Sequence, residues 1–159
     1  MLSVNIHSRS LNPNAQALSN LAAHAFVFDG VQCASMEGWL QSLKYPDQQE
    51  QEAVCALSGL AAKQYASRRR SRHAWQKRGL LCWQGKVFLR ESEEYAWLLK
   101  RAFQALHDQV PAFRGALRGT TGFVLQHSFG STDQYKTVLT KAEFCKLLTS
   151  LRDQQKARL

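Results

Sequence analysis

The chain has 159 residues, 45% of them apolar, so it can bury a core and is not disordered as a whole. It holds 21 lysines and arginines against 12 acids, and the resulting net charge of +9 favours an anionic partner such as nucleic acid or a phosphorylated small molecule. No apolar run approaches the roughly 18 residues of a membrane span, and no secretory pattern opens the chain. Four scattered cysteines without a C-x-x-C pair fit a cytoplasmic protein with reduced thiols.

Taken in chain order, apolar periodicity and turn residues predict a largely helical α+β domain over residues 1–159, with a small antiparallel sheet. The predicted elements are a short strand over residues 4–7, a hairpin over 25–33 that turns at Asp29-Gly30, a helix over 35–44 capped by Ser35, a helix over 48–66, a hairpin over 80–90 that turns at Gln84-Gly85, a helix capped by Ser92, a short helix after Pro111, and a last helix from Thr140 to about Arg158.

The helix predicted over residues 35–44 carries a narrow polar ridge. Because a helix turns about 100° per residue, Glu37, Gln41 and Lys44 share one side and the apolar residues share the other. A carboxylate, an amide and an amine in one line are either a ligand-binding ridge or an ordinary solvated face. Periodicity alone favours the solvated face, because such faces are common.

This segment also resembles the NADAR, or YbiA-like, family. That family has an L/F-S-N-F stretch, a small hairpin, and then S-E-x-x-x-Q-A-x-K. Residues 18–20 (Leu-Ser-Asn) are similar to the first stretch, and Glu37, Gln41 and Lys44 match the second at the same spacing.

The likeness continues to about residue 152. Trp83 and residues 90–103 are similar to the family's tryptophan and its following helix, and residues 136–152 resemble its terminal helix. Leu125 with His127 resembles the family's L-x-x-H stretch, with the spacing shifted by one residue. The chain departs from the pattern at Gly38, where a histidine is usual, and at residues 130–140, which lack the Trp-Gly-x-Gly loop of better-known members.

The resemblance implies an N-glycosidase that acts without a metal or organic cofactor. Family activities include release of ADP-ribose from guanine and cleavage of phosphorylated riboflavin-pathway intermediates. An N-glycoside leaves through an oxocarbenium-like state at the sugar C1, which a carboxylate stabilises, and Glu37 is the candidate. Lys44 is the candidate for trapping the opened sugar as a Schiff base. Asn20 and Gln41 are expected to hold ribose hydroxyls.

A basic run without acids extends over residues 53–90 and holds nine lysines and arginines. Arg68, Arg69, Arg70 and Arg72 are candidates for phosphate or nucleic-acid contacts, and the alternative is a solvated loop. Since aromatic residues alternate with these charges, Trp83 is expected to stack on a base and Arg90 to bind substrate beside it.

Two isolated polar residues are further candidates for the site. Asp133 lies in a polar loop and is a candidate for orienting a ligand hydroxyl, whereas His127 is either a structural histidine or a pocket residue. His7, His24, His73 and His107 share no metal-ligand spacing, so no metal site is expected.

The sequence therefore predicts a hydrolase of an ADP-ribose-containing or phosphorylated riboside, with ADP-ribosyl-guanine on nucleic acid among its candidate substrates. Two rival functions stay open at this point. One is an enzyme acting on riboflavin-pathway intermediates, and the other is a non-catalytic module that binds nucleic acid or ADP-ribose.

Overall fold

Three two-stranded sheets and eight helices make up the part of the chain that the computed structural model describes, residues 2–68 and 73–158. The helices are α1 (Pro13–Ala17), α2 (Met36–Ser42), α3 (Gln48–Cys55), α4 (Gly59–Ser67), α5 (Ala74–Arg78), α6 (Glu93–Gln109), α7 (Pro111–Arg118) and α8 (Lys141–Ala157). The strands are β1 (Ser3–Asn5), β2 (Phe26–Phe28), β3 (Val31–Cys33), β4 (Leu80–Trp83), β5 (Lys86–Leu89) and β6 (Val124–Gln126). The predicted α+β class is confirmed.

Both predicted hairpins are present, with their turns where the sequence places them. Strands β2 and β3 pair around Asp29 (φ 48°) and Gly30 (φ 81°), and β4 and β5 pair around Gln84 (φ 50°) and Gly85 (φ 81°). Two consecutive residues with positive φ make the tight turn whose twist matches antiparallel strands. Each hairpin turn is therefore a local property of its two central residues.

The third sheet joins two distant parts of the chain. β1 pairs with β6 in parallel, with Ser3 opposite Val124 and Asn5 opposite Gln126. The sequence predicts β1 as an edge strand but does not identify its partner, because most of the chain separates the two strands and no local pattern links them. Since parallel strands end at the same edge, the pairing brings the segments that follow β1 and β6 together.

The prediction of a single helix over residues 48–66 is wrong, because the chain forms two helices there, α3 and α4, with a break between them. The Cys55 carbonyl, which a continuous helix would pair with Gly59, instead accepts a hydrogen bond from the Ala34 backbone N–H at 2.9 Å. Ser58 then caps α4 by accepting from the Ala61 N–H. Leu60 is consequently 59% exposed rather than buried beside Val54.

The core is built around α6, whose predicted apolar stripe is buried along its whole length. The buried residues of this helix are Tyr95, Leu98, Leu99, Ala102, Phe103, Leu106 and His107. α6 packs against β2, β5, α7 and α8.

The helix caps are found where the sequence predicts them. The predicted capping box of Thr140 and Glu143 begins α8, and Ser35 and Ser92 cap α2 and α6 as expected. These caps match the sequence because each depends on contacts within four residues.

The backbone of α4 at Gly59 lies close to the backbone of Leu21, and a substitution at Gly59 tests this contact. A Cβ at Gly59 would lie 2.6 Å from the Leu21 carbonyl oxygen and 2.7 Å from its Cα, both backbone atoms. We expect Gly59→Ala to lower the free energy of unfolding by about 1–3 kcal/mol, because the backbone must shift. Gly115→Ala is the matched control, since a Cβ at that helical position meets nothing within 4 Å, and alanine there should be neutral or stabilising by up to about 1 kcal/mol. Urea denaturation measures both, and equal stability of the two variants would contradict the close approach.

Candidate active site

A cavity of about 740 Å³ lies between α2 and the segments that follow β1 and β6. This volume is within the range of about 300–1,000 Å³ that ligand pockets occupy. The polar and charged side chains that line it are His7, Ser8, Arg9, Ser19, Asn20, Glu37, Gln41, Lys44, Lys63, His127, Lys136 and Thr137. The structure thus brings Asn20, Glu37, Gln41, Lys44 and His127, which the sequence selects, to one cavity.

The polar ridge of α2 borders this cavity. The apolar side of the helix, including Trp39 and Leu43, is buried in the core, and this directs the opposite side toward the cavity. Gln41 donates from Nε2 to Glu37 Oε1 at 2.8 Å. A carboxylate with one oxygen held by a neighbouring amide has a fixed orientation, so the ridge is ordered before any ligand binds.

The segment before the first hairpin joins α2 through a backbone contact. The Glu37 N–H donates to the Asn20 carbonyl at 2.9 Å, and the Ser19 hydroxyl accepts from the Leu21 N–H at 3.2 Å. Asn20 and Glu37 therefore lie on adjacent parts of the cavity wall, although they are far apart along the chain.

His127 borders the cavity and is also held by the fold. Its Nδ1 lies 2.9 Å from the Ile6 carbonyl, and because a carbonyl only accepts, Nδ1 donates this hydrogen bond. The ring also meets the Phe144 ring edge-on, with centroids 5.0 Å apart. His127 is therefore held in place by the fold and also lines the cavity.

The charge of the lining is mainly positive. Arg9, Lys44, Lys63 and Lys136 face a single carboxylate, Glu37, among the lining residues that the structure describes. Cations concentrated at a concave surface attract anionic ligands and raise their local concentration. The cavity therefore suits a phosphorylated ligand.

Trp83 does not form the stacking platform expected from the sequence. It is 4% exposed and lies nearly parallel to Phe28, with ring centroids 5.7 Å apart, while its Nε1 donates to Asp29 Oδ2 at 2.8 Å. Because the ring is buried in the core and the polar atom is satisfied, Trp83 joins the two hairpins and has no free face for a base.

Arg90 does not contact ligand either, because it is 2% exposed. Its guanidinium binds both carboxylate oxygens of Glu143, at 2.6 and 3.1 Å, and donates from Nε to the Thr137 carbonyl at 2.9 Å. The Tyr95 hydroxyl donates to the neighbouring Val138 carbonyl at 2.6 Å. Arg90 therefore positions the loop over residues 136–139, which lines the cavity.

The remaining predicted residues lie away from the cavity or outside the described residues. Asp133 uses its carboxylate to accept the Tyr135 N–H at 2.9 Å and does not line the cavity. Arg68 is exposed at the C-cap of α4, whereas Arg69, Arg70 and Arg72 fall outside the described residues. Within residues 2–68 and 73–158, no cluster of His, Cys, Asp or Glu could hold a metal ion, and no helix has the length and apolarity to cross a membrane.

Several lining residues are not among the site candidates that the sequence predicts. His7 and Arg9 follow β1, Phe129 follows β6, and Lys63 and Lys136 come from α4 and the loop before α8. The motif on α2 gives no indication of them, because the β1–β6 pairing and the packing of α4 against α2 bring them to it. The net charge of +9 favours a cationic site but does not indicate which lysines and arginines form it.

Comparisons with known proteins agree on the family and the fold. The profile of a family described as Bacteriophage protein GP30.3 matches residues 13–153. The chain is 42% identical over 138 residues to the "Uncharacterized 17.1 kDa protein in Gp30-rIII intergenic region" of Enterobacteria phage T4, covering 86% of this chain and 89% of that protein. It is also similar to the NMR structure of the E. coli protein YbiA, with a TM-score of 0.65 and 19% identity over 99% of this chain and 86% of that one.

Glu143 links the stability of the cavity wall to pH. Burial by itself would raise the pKa of this carboxyl, but the hydrogen bonds from Arg90 and from the Thr140 backbone outweigh burial and lower the pKa. The stabilisation is complete above the pKa of an unfolded glutamate, about 4.3, and is lost as the pH falls through the lower pKa of the folded protein.

We expect Glu143→Gln to cost about 2–3 kcal/mol of unfolding free energy at neutral pH, because it leaves the buried Arg90 charge without its counter-ion. The same variant should show a weaker loss of stability than the original protein as the pH is lowered through the acid range. Urea denaturation across that range measures both effects, and Asp153→Asn on the exposed side of α8 is the control. Parallel pH profiles for the Glu143 variant and the original protein would contradict this account.

Proposed function

Since this chain belongs to the Bacteriophage protein GP30.3 family, which is of the NADAR type, and has the YbiA-like fold, we propose that it hydrolyses an N-glycosidic bond in an ADP-ribose-containing or phosphorylated riboside substrate. The observation that carries the proposal is the joint presence of Glu37 and Lys44 in one cationic cavity, with Gln41 hydrogen-bonded to the Glu37 carboxylate.

The proposed chemistry begins with departure of the base from the sugar C1. Positive charge develops on the sugar as the bond breaks, and the carboxylate of Glu37 stabilises it or activates the incoming water. The 2.8 Å hydrogen bond from Gln41 holds one carboxylate oxygen, which leaves the other for the sugar or the water. The base leaves with a proton, and water supplies the hydroxyl group on C1.

Lys44 provides a covalent variant of the same reaction. Its neutral amine forms a bond to C1 as the bond between C1 and the base breaks, and the base leaves with one proton of the amine. The bond between C1 and the ring oxygen then breaks, the ring oxygen takes the second amine proton, and an imine results. Water then hydrolyses the imine, which restores the amine and releases the free sugar. Glu37 lies in the first turn of α2 and Lys44 directly follows the C-cap of that helix, and both residues line the same cavity.

The charge of the lining supports a substrate with phosphate groups. Arg9, Lys63 and Lys136 border the cavity and form no ion pair among the residues that the structure describes. The net charge of +9 exceeds what a singly phosphorylated riboside requires, which favours an ADP-ribosyl group, including one attached to guanine in nucleic acid. A riboflavin-pathway riboside is the second candidate, and a binding module without catalysis is the third.

Direct assay of candidate substrates decides among these functions. The protein is incubated with ADP-ribosylated guanine DNA and, separately, with a phosphorylated pyrimidine riboside. Mass spectrometry identifies the products, which are free ADP-ribose from the DNA and free base with sugar phosphate from the riboside. Hydrolysis of either substrate supports the N-glycosidase: hydrolysis of the DNA substrate favours the ADP-ribosyl group, and hydrolysis of the riboside alone favours the second candidate. Tight binding without hydrolysis supports the binding module.

Glu37→Gln should reduce turnover by about 100-fold or more while the fold is kept, because the change removes the charge that stabilises the transition state. Glu37 is not a core residue, and glutamine preserves its size and helical position. Glu52→Gln, an identical chemical change on the exposed side of α3, should have normal turnover. Turnover is measured with the substrate identified above, and thermal unfolding monitors the fold. Near-normal turnover of Glu37→Gln would exclude this residue as the catalytic carboxylate.

Lys44→Arg separates the covalent from the electrostatic role. Arginine retains the positive charge but forms no Schiff base, so the covalent route predicts severe loss of turnover in this variant. Borohydride treatment during turnover should also attach the sugar to the original protein at Lys44, seen as a mass increase on that peptide. If Lys44→Arg is active and Lys44→Ala is not, Lys44 acts by charge alone. Lys146→Arg on α8 is the control.

A further inference from the structure

We infer that Phe129, with His7 and Arg9, forms a subsite for the nucleobase and adjoining phosphate of a nucleotide substrate. This inference rests on the proposed function, since it places one part of that substrate in the same cavity. The three residues line the wall formed by the segments that follow β1 and β6. These segments leave β1 and β6 at the same edge of the parallel pair.

Phe129 has the exposure that a stacking residue needs. Six of the eight phenylalanines are buried in the core, whereas Phe129 is 56% exposed and lines the cavity. Exposing an aromatic ring to water forgoes the free energy of burying it, and a flat ligand that covers the ring recovers that energy. Trp83, the platform expected from the sequence, has no free face. Of the two phenylalanines among the described lining residues, Phe144 is buried and Phe129 is exposed, so Phe129 is the ring that can stack on a base.

The fold holds this ring in place without a ligand. The Ser128 N–H donates to Asn5 Oδ1 at 3.0 Å, and Asn5 Nδ2 donates to the Ser128 hydroxyl at 2.9 Å, which ties the residue before Phe129 to β1. The His7 ring meets the Phe129 ring at 68°, with centroids 4.4 Å apart. A prepositioned ring costs less entropy on binding than a mobile one.

His7 and Arg9 add polar groups beside the ring. His7 Nδ1 accepts the Arg9 backbone N–H at 2.8 Å, so Nε2 carries the ring proton and is available to donate to an acceptor on a base. The Arg9 side chain forms no ion pair among the described residues, and a guanidinium binds phosphate oxygens in a fork. An aromatic face, a ring donor and a guanidinium together match a nucleotide better than a bare sugar phosphate.

Binding of two small probes tests the subsite. Guanosine 5′-monophosphate (GMP) carries a base, sugar and phosphate, and ribose 5-phosphate carries the last two alone. Both are titrated by NMR or calorimetry into the full-length protein and into its Phe129→Leu and Phe129→Trp variants. Leucine keeps an apolar side chain but removes the π face, whereas tryptophan keeps the face. Trp97→Leu is the matched control, because Trp97 is an exposed aromatic residue on α6 that does not line the cavity.

We expect Phe129→Leu to weaken GMP binding by about 5- to 100-fold, the range of one base–aromatic stack, and to leave ribose 5-phosphate binding nearly unchanged. Phe129→Trp and Trp97→Leu should bind GMP as the original protein does. Equal loss of both probes in Phe129→Leu, no loss of either, or no preference of the original protein for GMP would overturn the subsite.

The outcome is independent of the hydrolase assay. If Phe129→Leu loses GMP affinity selectively but the original protein releases neither ADP-ribose from the DNA nor base from the riboside, the subsite stands and the proposed function fails. If either substrate is hydrolysed and Phe129→Leu leaves both the KM of that reaction and GMP affinity unchanged, the hydrolase stands and the subsite fails.

Discussion

The buried ion pair between Arg90 and Glu143 connects the parts of the molecule on which the cavity depends. Arg90 directly follows β5, and its guanidinium binds Glu143 in the first turn of α8. The same guanidinium donates to the Thr137 carbonyl in the loop that precedes α8. Glu143 also completes the capping box with Thr140. A buried charge of this kind is costly to desolvate, so its partners must be present in one geometry. That requirement fixes the wall over residues 136–139 relative to the core helix α6.

The opposite wall depends on backbone pairing rather than on charge. Parallel pairing of β1 with β6 places the Ile6 carbonyl against His127 and the Asn5 side chain against Ser128. The segment after β1 thereby becomes part of the cavity, although residues 1–12 lie before the range that the family profile matches. α2 contributes the third wall, and its apolar side is anchored in the core by Trp39 and Leu43.

These walls give the cavity an uneven charge that fits the proposed chemistry. Among the described lining residues, Glu37 is the one carboxylate, the cations come from four separate segments, and the Gln41 amide donates a hydrogen bond to the Glu37 carboxylate. Cations in a concave site attract phosphates, and in the proposed reaction the carboxylate stabilises the carbon that becomes positive. A carboxylate in an otherwise uncharged cavity would also stabilise that carbon but would not select a phosphorylated substrate.

Interactions within a few residues are readable from the sequence alone. It determined both hairpin turns, the caps at Ser35, Ser92 and Thr140, and the buried stripe of α6. Tertiary structure alone decided three other features: the break between α3 and α4, the pairing of β1 with β6, and the burial of Trp83 and Arg90. Each depends on a contact between segments far apart in the chain, such as the Ala34 N–H that takes the Cys55 carbonyl from its helix. An arginine or a tryptophan has the same sequence signature whether it meets a ligand or an interior partner, and the partner's position is a property of the folded chain.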